Sequence, residues 1–160
     1  PIRNTLRRHA ARPQPLLAAL LTGALLAASG LQAAPGGGEA SRFHDDARSR
    51  LARNDAAGAI VQAQNALQKE PGLLAAQVLL GQALLKDGQA AAAEAQFEKA
   101  LSSGARLEDV ALPYGQALMM FGNSEKLLQR IPADGLPPTQ RAEVLAMRAT
   151  AHADQGDTGE

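Results

Sequence analysis

The sequence predicts an all-α protein built as a stacked array of helix pairs, and three observations carry that prediction. Four small residues, Ala47, Gly81, Gly115 and Ala149, recur at intervals of 34. Four helix-breakers, Asn54, Gly88, Gly122 and Gly156, each follow one of them seven residues later. Two registers sharing one period mark a supersecondary unit copied along the chain. Composition agrees. The chain is 46% hydrophobic, rich in the helix formers alanine and leucine and poor in β-branched residues, with only Phe43, Phe97, Tyr114 and Phe121 as aromatics. A stacked array offers a long surface, whereas catalysis needs convergent polar groups in a pocket.

The N-terminal segment has a different character. Arg3, Arg7, Arg8 and Arg12 precede an apolar run from Leu16 to Ala28, there is no acid before Glu39, and Leu31-Gln32-Ala33-Ala34-Pro35 closes the segment. Basic, apolar and small-residue regions in that order predict an export signal over residues 1–34, with the bond after Ala33 best placed for cleavage. The apolar run is short for a bilayer span of about 20 residues. Beyond Ala33 lie all 16 acids but only 12 of the 16 bases, a net charge of −4. That balance disfavours binding to a nucleic-acid backbone. There is no cysteine, so the fold must be held by packing, without disulfides, and no lipid-anchor cysteine is present.

Residues 35–39, with Pro35-Gly36-Gly37-Gly38, read as a flexible linker, and 40–160 as the array. Apolar periodicity places helices at about 40–53, 56–69, 73–87, 90–102, 109–121, 124–131 and 139–155. Asn54-Asp55, Asp87-Gly88, Gly122-Asn123-Ser124 and Gly156-Asp157 lie at the turns within pairs. Asn or Gly there tolerates the left-handed conformation that ends a helix, and Asp55 and Ser124 are placed to cap the helix that follows. Glu70-Pro71-Gly72 and Ser102-Ser103-Gly104 separate successive pairs, and Pro71 cannot continue a helix. Leu80, Gly81 and Leu84 mark one helix face, and Ala93, Phe97, Ala100 and Leu101 the face opposed to it. A helix-interior glycine costs about 1 kcal/mol relative to alanine. Gly81 and Gly115 therefore predict close helix approach, with Ala47 and Ala149 in equivalent places.

These residues resemble the tetratricopeptide (TPR) repeat, a 34-residue helix–turn–helix. Its signature runs from an aromatic or apolar residue through Leu-Gly and a further apolar residue to Ala, Phe, Ala and Pro. The second unit matches through Leu80, Gly81, Leu84, Gly88, Ala93, Phe97 and Ala100, with Ala105 in place of the proline. The first matches through Phe43, Ala47, Ala59, Ala66 and Pro71, but Asp46 and Arg50 stand where apolar residues are usual. The third keeps Tyr114, Gly115, Leu118 and Gly122, then shortens at Ile131-Pro132, and residues 132–138, with three prolines, fill the gap. The fourth keeps Leu145, Ala149, His152 and Gly156. The resemblance implies a TPR-type α-solenoid of antiparallel pairs, with repeats at about 40–73, 74–107 and 108–141 and half of a fourth at 142–160. Only the first helix of that fourth unit is present and residue 1 is not methionine, so the expectation is a piece of a longer array. Its last helix, unpaired, is expected to expose Val144, Leu145 and Ala149.

The export signal, the stretch from Phe43 to Ile60, Leu79-Leu80-Gly81-Gln82-Ala83-Leu84-Leu85-Lys86-Asp87-Gly88 and the short third unit with Leu112-Pro113 and Ile131-Pro132-Ala133 are similar to the TPR proteins of the PEP-CTERM/exosortase system. That resemblance implies an exported scaffold in the envelope of a Gram-negative bacterium, at or in the periplasm, associated with exopolysaccharide and surface-protein sorting. Members of that family are often lipoproteins, which this cysteine-free sequence does not match. Two alternatives stay open: the docking arm of a longer enzyme whose catalytic domain lies beyond residue 160, and a generic periplasmic assembly factor.

Catalytic and metal motifs are not visible. His44-Asp45-Asp46 are consecutive and point apart on a helix, where only residues three or four apart converge. Arg42 with Asp45 or Asp46 reads as a surface ion pair, and His152 as a packing or groove residue. No phosphate loop, serine elbow or carboxylate pair is present, and no cofactor or metal is expected.

The TPR resemblance also implies a concave groove lined by fixed positions of each first helix. Transferred here, these give His44, Arg48, Val78, Gln82, Leu85, Leu112, Gln116 and Met119, with Ser41, Leu51, Ala52, Ala75, Lys86, Asp109 and Met120 beside them. The lysine and asparagine of chaperone-tail clamps are replaced by His44/Arg48, Val78/Gln82 and Leu112/Gln116. The expected partner is an extended protein segment, its backbone on Gln82 and Gln116 and its side chains on Val78, Leu85 and Leu112.

Overall fold

A computed structural model describes residues 37–156, so the expected export signal lies outside the described residues. Within them are seven helices and no strand: α1 (Gly37–Ala52), α2 (Ala56–Lys69), α3 (Leu74–Lys86), α4 (Ala90–Ser102), α5 (Leu107–Phe121), α6 (Ser124–Arg130) and α7 (Pro138–Asp154). The all-α expectation is met.

Short turns bring each second helix back onto its first, as two- to eight-residue connections do between antiparallel neighbours. α1 packs on α2, α3 on α4 and α5 on α6. Each second helix also packs on the next first helix, through the pairs α2–α3, α4–α5 and α6–α7. The helices α1, α3, α5 and α7 touch one another in that order, forming a continuous row.

The breakers do the work expected of them. Asn54, Gly88, Gly122 and Gly156 take φ of 68°, 81°, 75° and 74°, all left-handed. Following each of the first three, a backbone N–H reaches five residues back: Asp55 to Arg50 O at 2.9 Å, Gln89 to Leu84 O at 2.8 Å and Asn123 to Leu118 O at 2.8 Å. That closure satisfies carbonyls the helix end would leave bare.

The core runs along the whole row and includes Ala47, Ala63, Leu80, Leu84, Phe97, Tyr114, Leu118, Leu127, Ile131 and Val144. Gly81 sits under Phe97: a Cβ there would lie 2.6 Å from Phe97 Cε1, so the close approach requires the missing side chain. Gln77 and Glu94 are buried polar residues on otherwise apolar faces. Gln77 Oε1 has no hydrogen-bond partner among the described residues.

Several expectations are corrected. α1 begins at Gly37, inside the segment read as linker. The first turn leaves its N–H groups unbonded in any helix, and here it is anchored by buried Ala40 and by Glu39 paired with Lys69 of α2 at 2.8 Å. Lys69 holds the Glu39 carboxyl below its ordinary range by hydrogen bonding. Asp55 caps α2, accepting from Gly58 N at 2.9 Å, but α6 is capped by Asn123, which accepts from Lys126 N at 3.4 Å. Ser124 is instead the first helical residue and donates to Asp154 of α7 at 3.1 Å. On α1 the ion pairs are Arg48–Asp45 at 3.2 Å and Arg50–Asp46 at 3.0 Å, not pairs of Arg42. Arg50 also reaches Asp55 at 3.0 Å, so the charges in the first unit tie α1 to the cap of α2. Val144 is 1% exposed because it faces the core, while Leu145 at 52% and Ala149 lie on the outer face of α7. Ala149 thus does not share the buried setting of Ala47, Gly81 and Gly115.

Candidate functional site

The row of α1, α3 and α5 carries two depressions. The first, of about 550 Å³, is lined by His44 and Arg48 of α1, by Leu74, Ala75, Val78, Leu79 and Gln82 of α3, and by Gly104, Ala105, Arg106 and Asp109 around the start of α5. The second, of about 490 Å³, is lined by Leu51, Gln82, Leu85, Lys86, Pro113, Gln116 and Met120. Gln82 belongs to both, so they form one interrupted groove along α3.

Helical spacing explains why α3 supplies its spine. Residues 74, 75, 78, 82 and 85 fall on one stripe, while Leu80, Gly81 and Leu84 turn inward to the core. The walls of the first depression are held by ion pairs. Arg48 is fixed by Asp45 at 3.2 Å. Arg106 donates to both oxygens of Asp109, each at 3.2 Å, and contacts Glu108 at 2.6 Å. Those hydrogen bonds hold the Asp109 carboxyl below its ordinary range and raise the Arg106 guanidinium. His44 Nδ1 lies 3.4 Å from Asp45 Oδ1.

Of the expected groove residues, His44, Arg48, Val78, Gln82, Leu85 and Gln116 line these depressions. Leu112 and Met119 do not; both are half-buried and pack against the core. Pro113, which was not expected, lines the second depression beside the expected Met120, which is 61% exposed. Pro113, Gln116 and Met120 stand three and four residues apart and share one helical face, which keeps the expected Gln116 and Met120 and leaves Leu112 and Met119 turned towards the core. Reading the sequence also missed Gly104, Ala105 and Arg106, which belong to the connection between pairs and carry no helical periodicity. The Arg106/Asp109 spacing at a helix start was the available signal. His152 is half-buried and lines neither depression.

Elsewhere, Gly122, Asn123, Ser124, Glu125, Asp154 and Gln155 form a polar recess of about 700 Å³. Its hydroxyl–carboxylate pair, Ser124 and Asp154, joins the start of α6 to the end of α7, with no histidine or lysine in the lining. Among the described residues no group of three or more His, Cys, Asp or Glu could hold a metal, and no helix is long and apolar enough to cross a membrane. Compared with protein-family models, curated proteins and solved structures, the chain matches none.

Proposed function

We propose that this chain is an exported, non-catalytic TPR scaffold that holds an extended segment of a partner protein in the groove along α3. In this reading the partners belong to an exopolysaccharide and PEP-CTERM sorting system of a Gram-negative envelope. The observation that carries the binding role is Gln82, shared by two depressions and flanked by Val78 and Leu85, with Gln116 one 34-residue interval away on α5. Among the described residues neither amide has a hydrogen-bond partner, so both are open to the backbone of an extended chain. The solenoid reading draws support from the recurrent left-handed breakers and from the sequential contacts of the helix pairs. The envelope assignment rests on sequence resemblance alone.

The test is a pull-down from envelope extracts with the wild-type chain and with Val78→Asp and Leu85→Asp. A carboxylate at either position should reduce recovery of specific partners while the helical circular dichroism stays unchanged. Equal recovery would remove the groove assignment. Fractionation of the full chain expressed in a Gram-negative host checks export: it should be recovered from the envelope, shortened by the signal.

A further inference from the structure

Resting on the groove reading above, we infer that the bound segment is acidic as well as apolar, and that Lys86 is the residue that reads its carboxylate. The two depressions together are lined by three formal cations, Arg48, Lys86 and Arg106, and one acid, Asp109. The sequence beyond Ala33 is acidic, with 16 acids against 12 bases. Asp45, Glu108 and Asp109 neutralise Arg48 and Arg106, so the uncompensated positive charge of the groove is that of Lys86, set on an acidic body and complementary to a negative side chain.

The three cations are not equivalent. Arg48 is engaged by Asp45, and Arg106 by Asp109 and Glu108. Lys86 closes α3 with no ion pair or side-chain hydrogen bond among the described residues, and no carboxylate lines its depression. A lysine in a last helical turn suits the helix dipole, and Lys69 and Lys99 stand in last turns too. Lys86 differs from them in lining the groove, beside apolar Leu51, Leu85, Pro113 and Met120.

The spacing fits an extended chain. Gln82 and Lys86 are one turn apart along α3, about 6 Å. Alternate residues of an extended chain lie about 6.8 Å apart and point the same way. A segment lying along α3 can therefore bond its backbone to Gln82 and set an acidic side chain at Lys86, while a neighbouring apolar side chain enters either depression.

The test is fluorescence polarisation with the full chain and three labelled peptides, alternating leucine with aspartate, with serine or with lysine. The aspartate peptide is expected to bind roughly two- to fivefold more tightly than the serine peptide, the range for an exposed ion pair. Lys86→Gln should bring those two together, and Lys86→Glu should turn the preference towards the lysine peptide. Lys99→Gln, exposed on α4 and outside both depressions, should leave the wild-type order intact. An unchanged aspartate-to-serine ratio in Lys86→Gln, or an equal loss in Lys99→Gln, overturns the role of Lys86. If all three peptides bind alike and Val78→Asp abolishes them, the groove stands and the acidic preference falls. No binding of any peptide by wild type overturns both.

Discussion

Gly81 and Gly115 occupy the same place in successive 34-residue units and both are buried, yet they meet different neighbours. Above Gly81 lies the Phe97 ring, with three of its atoms 2.6–2.9 Å from the point a Cβ would occupy. That ring is fully buried and backed by Tyr114, with centroids 5.9 Å apart and planes tilted by 42°. Above Gly115 lies the thioether of Met147, its sulfur 2.8 Å from the corresponding point, with Ile131 Cδ1 next at 3.5 Å. One seat faces a ring that has nowhere to go, the other a chain that can bend away. The register explains the pattern. Ala63, Phe97 and Ile131 stand 34 residues apart, opposite Ala47, Gly81 and Gly115 in their own units. The largest knob sits over a seat with no side chain, and the smallest accompanies an alanine. Knob and seat sizes thus compensate, as close-packed interiors require.

The largest effect should come from removing the knob. Phe97→Ala empties a fully buried ring site and is expected to cost about 3–5 kcal/mol in chemical denaturation. Next is the seat. Gly81→Ala adds only a methyl and improves helix propensity by about 1 kcal/mol, but the ring cannot yield, so a net loss of about 1–3 kcal/mol is expected. A neutral Gly81→Ala, or a Phe97→Ala cost near that of a surface change, would show that the two do not oppose one another.

The third unit is closed differently, by polar ties reaching its short seven-residue α6. Arg148 of α7 donates to the carbonyls of Leu128 and Ile131 at 2.7 and 3.1 Å, satisfying groups at the end of that helix. Arg148→Met should cost about 1–2 kcal/mol and speed amide exchange in α6 more than in α3. From α6, Lys126 pairs with Glu94 and Glu98 of α4, and the Tyr114 hydroxyl donates to Glu98 at 3.2 Å. Lys126 holds the Glu98 carboxyl below its ordinary range, so this stabilisation is present above the usual glutamate pKa and is lost as pH falls through the lowered one. The same pairing raises Lys126, which keeps its charge through neutral pH. Thermal melts in acid should therefore lose stability in the wild type, and Lys126→Met should flatten that limb. An identical acid limb in the variant would assign the loss to other carboxylates.

How far the sequence announced this follows from the range of each interaction. The breakers and the small residues act locally and periodically, and Asn54, Gly88, Gly122 and Gly156 were readable one by one. The start of α1 was not, because Gly37 and Gly38 discourage a helix intrinsically while the support comes from α2, through Lys69. Asn123 and Ser124 are adjacent capping residues, and only the helix phase decides between them. Glu94 looks like a surface residue until Lys126, 32 positions on, covers it. In the groove the α1 and α3 positions were legible, because the second unit keeps the repeat pattern well. On α5 the expected Asp109, Gln116 and Met120 line the groove, while Leu112 and Met119 pack against the core and Pro113 lines it unannounced.

The smallest effect is expected at Gly115, and it tests most sharply whether the neighbour above a buried glycine sets its tolerance. Gly115→Ala places its methyl against Met147 Sδ, a side chain with three rotatable bonds and partial exposure. Ile131 lies at ordinary contact distance, so only the thioether must give way. The helix-propensity gain of about 1 kcal/mol should then offset the rearrangement, leaving a net change within about ±0.5 kcal/mol in chemical denaturation. If shape at the seat governs these sites, Met147→Leu in the Gly115→Ala background should reintroduce a penalty, since a γ-branched side chain bends away less readily than a thioether. A loss in Gly115→Ala as large as that in Gly81→Ala would instead mean that buried glycine itself, whatever lies above it, sets the tolerance of this register position.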